Sequence, residues 1–106
     1  MDKALEGIRI LDMSRVQAGP SCAQMLAFLG ADVVKLEDVT GGDNTRIEMA
    51  HREGVDSVYF TIFNSNKRAI TLDLKTERGK ELFSGLVEWA DIVLENFSKG
   101  VMERLG

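Results

Sequence analysis

The chain is 106 residues long, 44% hydrophobic and 28% charged, which suits one globular domain with a modest core and is too short for two. Thirteen Lys and Arg against seventeen Asp and Glu leave a net charge of −4, which argues against nucleic acid or an anionic membrane surface as a partner. A single cysteine excludes an internal disulfide and, with a single histidine, argues against a His/Cys metal site.

The first residues, MDKALEGIRI, are charged and lack the apolar core of a secretory signal. No apolar run approaches the roughly 20 residues needed to cross a bilayer. With the lone cysteine, this places the protein in a reducing, cytoplasmic setting. Ile8, Ile10, Leu11 and Met13 then form an apolar run of strand length. The loop Ser14-Arg15-Val16-Gln17-Ala18-Gly19 follows, and Pro20 suits the first residue of a helix, where its missing N–H costs nothing. Cys22, Met25, Leu26 and Leu29 recur at i, i+3, i+4 and i+7, which predicts the buried helical face, with Cys22 a small core residue. Gly30 fits the position just past the helix end, and Asp32 to Leu36 read as a second strand. This is a βαβ unit with parallel strands and a right-handed crossover.

Two glycines among Asp and Asn mark residues 38–46 as a loop. Residues 47–56 show no clear period and read as irregular connection with one helical turn at most. Ser57 to Phe63 is ambiguous: its β-branched and aromatic content favours strand, yet Tyr59, Ile62 and Phe63 also fit one face of a short helix. A polar loop leads to a third strand over Ala69 to Leu74. Thr76 is placed to cap a helix running to about Ala90, with the apolar stripe Leu82, Phe83, Leu86, Val87 and Ala90. Gly79 and Gly85 each weaken such a helix by about 1 kcal/mol relative to Ala, so close packing is expected at both. Asp91 to Glu95 reads as a fourth strand, and Ser98 as the cap of a last helix over Lys99 to Leu105.

Alternation of strand and helix throughout predicts an α/β fold: a doubly wound, mostly parallel Rossmann-like sheet of about four strands with flanking helices. Ligands of such sheets bind beyond the carboxyl ends of the strands, which here means the loops Ser14–Gly19, Asp73–Thr76 and Asn96–Ser98, with the loop after Glu37 beside them. The first loop carries only Gly19 and so lacks the G-x-G-x-x-G pattern of dinucleotide sites. Arg15 and Gln17 stand at the mouth of the expected cleft, as ligand contacts or as residues that merely solvate a loop. Lys75, Arg104 and the pair Lys67-Arg68 supply cations that either hold a phosphate-bearing ligand or are scattered surface charge. His51 has no Ser or Cys partner in the pattern.

The segments RVQAGP, LGADVVKLE, the Gly42-Asp43-x-Thr45-Arg46 turn, YFTIFNSNKRAITLDLK, ADIVLENF and ERLG occur in the order and spacing seen in class III CoA-transferases. The chain resembles that family from end to end, and within it the formyl-CoA transferase branch. Related acyl-CoA racemases share the fold but usually lack the Arg-Val-Gln-Ala arrangement, so Gln17 favours a transferase.

The resemblance implies coenzyme A as the bound substrate, with no metal, acyl-CoA and carboxylic acid substrates, and a homo-oligomeric, interlocked assembly. It implies that Val16, Gln17 and Ala18 line the thioester end and that Leu72 and Lys75 contact the adenosine portion. It further implies that Asn96 and Phe97 border the pantetheine channel and that Arg104 faces a phosphate. Asp38 departs from the family pattern, which commonly has Arg there. Family members run to several hundred residues and attack the thioester with an aspartate beyond position 106, so the resemblance implies the N-terminal portion of the enzyme with the nucleophile outside this chain. The other reading is a non-catalytic CoA-binding or self-associating module. Neither Asp12 nor Asp73 takes the nucleophile's place; both read as strand-end residues.

Overall fold

The computed structural model describes residues 2–106. Strands β1 (Arg9–Asp12), β2 (Asp32–Glu37), β3 (Arg68–Thr71) and β4 (Ile92–Leu94) form one sheet in the order β3-β2-β1-β4. Every pairing is parallel, with Ile10 opposite Val33 on one side and Ile92 on the other. Five helices complete the α/β fold: α1 (Ala18–Phe28), α2 (Thr45–Glu48), α3 (Val58–Asn64), α4 (Glu77–Trp89) and α5 (Val101–Leu105).

Because side chains alternate across a strand, β1 feeds two cores. Ile10 points with Val33 toward Ala23, Ala27 and Ala31 on the α1 face. Leu11 and Met13 point with Leu36 toward Phe83, Leu86 and Ala90 of the α4 segment and Met102 and Leu105 of α5. Helix α3 packs on α1 rather than on the sheet, tied there by Gln24 Nε2 donating to the Ile62 carbonyl and Asn66 Nδ2 to the Ala27 carbonyl.

The ambiguous segment 57–63 is therefore helix, not strand. The Ser57 hydroxyl accepts the Phe60 N–H at 2.9 Å, an N-cap that a strand reading has no use for. Helix α1 begins two residues before Pro20, which costs nothing because the first four N–H groups of a helix lack partners anyway. It ends as expected at Gly30, in a Schellman arrangement: Ala31 N–H reaches the Leu26 carbonyl and Gly30 N–H the Ala27 carbonyl, with Gly30 at φ +109°.

Of the expected buried face of α1 only Leu26 packs on the core, half-buried. Cys22, Met25 and Leu29 are exposed, Met25 by 66%, and Gly19, Pro20, Ala23 and Ala27 are buried instead. The sequence AGPSCAQMLAF is apolar around most of the helix, so its period does not choose a face; close approach to the sheet does, and only small side chains fit there. The α4 stripe is covered in part: Phe83 and Leu86 reach the core, while Leu82 and Val87 stay exposed. Ser98 does not cap α5. Gly100 precedes that helix in the left-handed region at φ +86° with no side-chain cap, and Val101 N–H meets the Ser98 carbonyl at 3.2 Å.

The two glycines of α4 part company. A Cβ on Gly79 would fall 1.8 Å from the Asp73 carbonyl oxygen, whereas one on Gly85 meets nothing within 4 Å. Close packing accounts for Gly79 only. Gly79→Ala should destabilise the fold by about 1–3 kcal/mol, the usual cost of overpacking. Gly85→Ala should stabilise it by up to about 1 kcal/mol through helix propensity. Urea unfolding of both variants checks the contrast; equal effects would discard the packing argument.

Candidate functional site

The carboxyl ends of the four strands bring four loops together. After β1, the Arg15 backbone is clasped by Asn96 from the loop after β4: Arg15 N–H donates to Asn96 Oδ1 at 2.9 Å, and Asn96 Nδ2 donates to the Arg15 carbonyl at 2.8 Å. The Arg15 guanidinium also lies 5.7 Å from the centre of the Phe97 ring, within cation–π range. Beside this clasp is a cleft of about 160 Å³ walled by Met13, Arg15, Asp38, Leu72, Lys75 and Phe97 and closed below by Val101 and Leu105 of α5. It is smaller than the roughly 300–1,000 Å³ of sites that enclose a whole small ligand. Its size fits one segment of a long ligand lying across the strand ends.

Of the residues named from sequence, Leu72, Lys75 and Phe97 line this cleft, and Asn96 adjoins it through Arg15. Arg104 is exposed on α5 and is not part of the wall. Val16, Gln17 and Ala18 are exposed on the turn into α1. Val16 has φ +68°, an outlier for a β-branched residue and a sign of a backbone held by its surroundings. Gln17 is the N-cap of α1, yet its side chain caps nothing; its Oε1 accepts from the Tyr59 hydroxyl of α3 at 3.2 Å. Tyr59 is the residue that the pattern placed on a helix face without a role. Only the docking of α3 on α1 brings it to the loop.

The basic pair Lys67-Arg68 does not line the cleft. Lys67 is sealed against Asp12 at 2.8 Å, and Arg68 pairs with Asp32 on the edge of the sheet at 2.6 Å. Asp12 is thus structural, as its strand-end position implies. His51 stands in a separate hollow of about 650 Å³ lined by Gly41 and residues within 46–56, where Arg46 is already paired with Glu37 and Asp56. Among the described residues no group of three or more His, Cys, Asp or Glu side chains is placed to hold a metal ion, and no helix is long and apolar enough to cross a membrane.

Residues 5–106 match the family described as CoA-transferase family III. The chain belongs to that family. It is 58% identical over all 106 residues to a formyl-CoA:oxalate CoA-transferase of Streptomyces avermitilis and 52% identical to one of Bradyrhizobium sp.. In each case it covers 100% of this chain but only 26% and 25% of the relative, so the chain spans about a quarter of the length of these curated relatives. A CAIB/BAIF family protein from Brucella suis superposes with a TM-score of 0.89 at 39% identity, over 99% of this chain and 29% of that one.

In this family III chain the cleft has a mixed charge. Asp38, on its wall, is held below the usual carboxylate range by the Thr40 hydroxyl and amide, with Arg15 and Lys75 adding attraction. Next to it Glu37 anchors the Gly42–Arg46 turn. Arg46 grips both carboxylate oxygens, at 2.8 and 2.6 Å, and Asp43 N–H adds a bond of 2.9 Å. Burial alone would push Glu37 up, but the Arg46 bonds, the Asp43 amide and the charge of Lys35 outweigh it and hold the carboxyl low. Asp43 is likewise pushed up by burial and held low overall by the Thr45 hydroxyl and amide and by Lys35.

Both folded values lie below the unfolded ones, so the stabilisation is complete above the ordinary carboxylate pKa of about 4 and is lost as pH falls through the lower folded values. Urea midpoints measured between pH 7 and pH 2 should therefore hold steady to about pH 5 and then drop. Glu37→Gln should flatten that drop while lowering the plateau, and an unaltered slope would remove Glu37 from the account.

Proposed function

We propose that the strand-end cleft binds coenzyme A, as the N-terminal portion of an enzyme that moves CoA from an acyl-CoA donor to a free carboxylic acid. The reading is supported above all by the Arg15–Asn96 clasp, which joins the first and last loops so that Phe97 and Lys75 share one cleft. Lys75 supplies a point charge for phosphate beside the adenosine portion, with Leu72 against it. Phe97 and Asn96 border the pantetheine, and Arg104 meets a phosphate from α5. Val16, Gln17 and Ala18 receive the thioester end, where the first N–H groups of α1 are free to meet developing negative charge.

The chemistry assigned to the longer polypeptide is covalent. An aspartate outside this chain attacks the thioester carbonyl, forming a mixed anhydride and releasing CoA thiolate. The thiolate then attacks the aspartyl carbonyl, giving an enzyme thioester and freeing the donor acid, and the acceptor carboxylate runs both steps in reverse. The names of the relatives put formyl-CoA and oxalate first among the donors and acceptors to try.

Calorimetric titration of the chain with CoA tests the cleft. Saturable binding is expected, with Lys75→Ala weakening it about three- to tenfold, or 0.6–1.4 kcal/mol. Asp38→Arg, which restores the charge common in the family, should tighten it. A folded chain that gives no saturable heat would overturn the assignment.

A second reading, a self-associating module, is favoured by the exposed apolar side of α1, where Met25, Phe28 and Leu29 stand open to solvent. Sedimentation over rising concentration should then show association that Phe28→Lys abolishes; a monomer at all concentrations rules it out.

A further inference from the structure

We infer that four buried charges, Lys35, Asp43, Lys67 and Asp12, are positioning residues that set the course of the β1–α1 loop and with it the stance of Val16, Gln17 and Ala18. The side chains of Lys35 and Lys67 are 1% exposed, and those of Asp12 and Asp43 are sealed completely. Lys67 Nζ uses all three protons: it donates to Asp12 Oδ2 at 2.8 Å, to the Pro20 carbonyl at 2.9 Å and to Asn64 Oδ1 at 2.9 Å. Lys35 Nζ donates to the Ser14 carbonyl at 2.8 Å and pairs with Asp43 Oδ2 at 3.0 Å. The other oxygen of Asp12 accepts the Ser14 N–H at 2.9 Å and the Ser14 hydroxyl.

These bonds grip the backbone at Ser14 and at Pro20, the two sides of the loop. Between the grips lies Val16 in the left-handed region, a conformation that persists only where the surroundings over-determine it. The loop also closes tightly on itself, since a Cβ on Gly19 would fall 2.2 Å from the Ser14 Cβ. Removing four charges from water is unfavourable, and apolar residues of similar volume often serve stability as well or better. What apolar residues cannot do is hold two carbonyls in fixed places. The arrangement therefore selects geometry, and the geometry it selects is that of the loop read above as the thioester end of the CoA site. The link to binding rests on that reading; the loop geometry does not.

The test is Lys67→Met in the 106-residue chain, followed by amide hydrogen exchange and CoA titration. Arg15 N–H, bonded to Asn96, and Ser21 N–H, bonded to the Gln17 carbonyl at 2.8 Å, report on the loop. Leu11 and Val34, paired in the centre of the sheet, report on the fold as a whole. Exchange at Arg15 and Ser21 should accelerate about tenfold or more beyond any change at Leu11 and Val34. Acceleration no greater than in the central strands would overturn the inference and leave the charges a purely structural role.

If Lys67→Met does not fold, the double variant Asp12→Asn with Lys67→Met removes both charges together and keeps an acceptor for Ser14 N–H, and the same comparison decides. In the folded variant CoA should bind about tenfold more weakly. Unchanged affinity with a loosened loop would break the link to binding alone. A wild-type chain that binds no CoA fails the cleft reading and leaves the exchange result to judge the loop.

Discussion

The parallel pairing of β1 on both its edges is the constraint from which the rest of this structure follows. With β2 on one side and β4 on the other, the strand has no free edge, and Ile10 and Leu11 are fully buried on opposite faces. Parallel neighbours require crossovers, and right-handed crossovers put helices on both faces. All four carboxyl ends consequently emerge on one side, so loops separated by some 80 positions in the chain, at Arg15 and at Asn96, meet directly.

At that end the polar groups are not spread evenly. The Gly42–Arg46 turn is built on the buried Glu37 carboxylate, with the Arg46 guanidinium bound to it and stacked 3.8 Å over the Phe60 ring. The loop after β1 is built on buried lysines. Each arrangement buries carboxylates or lysines away from water, and each fully buried ion carries a desolvation penalty of several kcal/mol that only close, well-directed partners offset. Such groups gather where backbone must be held in one shape. Exposed apolar side chains stand on the outer side of α1 and along α4 and β4, and also at Val16 and Ile47 beside these two loops.

Where local chemistry points one way, the sequence is easy to read. Gly30 ends α1 as its position demands, Thr76 caps α4 by accepting Gly79 N–H, and the β-rich runs around Ile10, Val33 and Val93 are strands. The difficulties share one cause. In α1 nearly every position is apolar or small, so hydrophobic spacing fits several faces at once. In 57–63 both periods fit, and the Ser57 cap settles the matter. At Lys67 the sequence shows a cation in a polar stretch, with nothing to say that its stem turns inward to Asp12, 55 positions earlier.

By itself, then, the sequence determined the alternation of strand and helix, the parallel sheet that such alternation requires, and the end of the sheet at which its loops gather. Those follow from spacing, caps and chirality, all of which act over a few residues. Family membership was legible too, because it is carried by ordered motifs along the chain. Only the tertiary structure decided which face of α1 is buried, which cations are free and which are spent on buried partners, and that Tyr59 meets Gln17. These depend on contacts between residues far apart in the chain, and a one-dimensional pattern holds no record of the distance of closest approach.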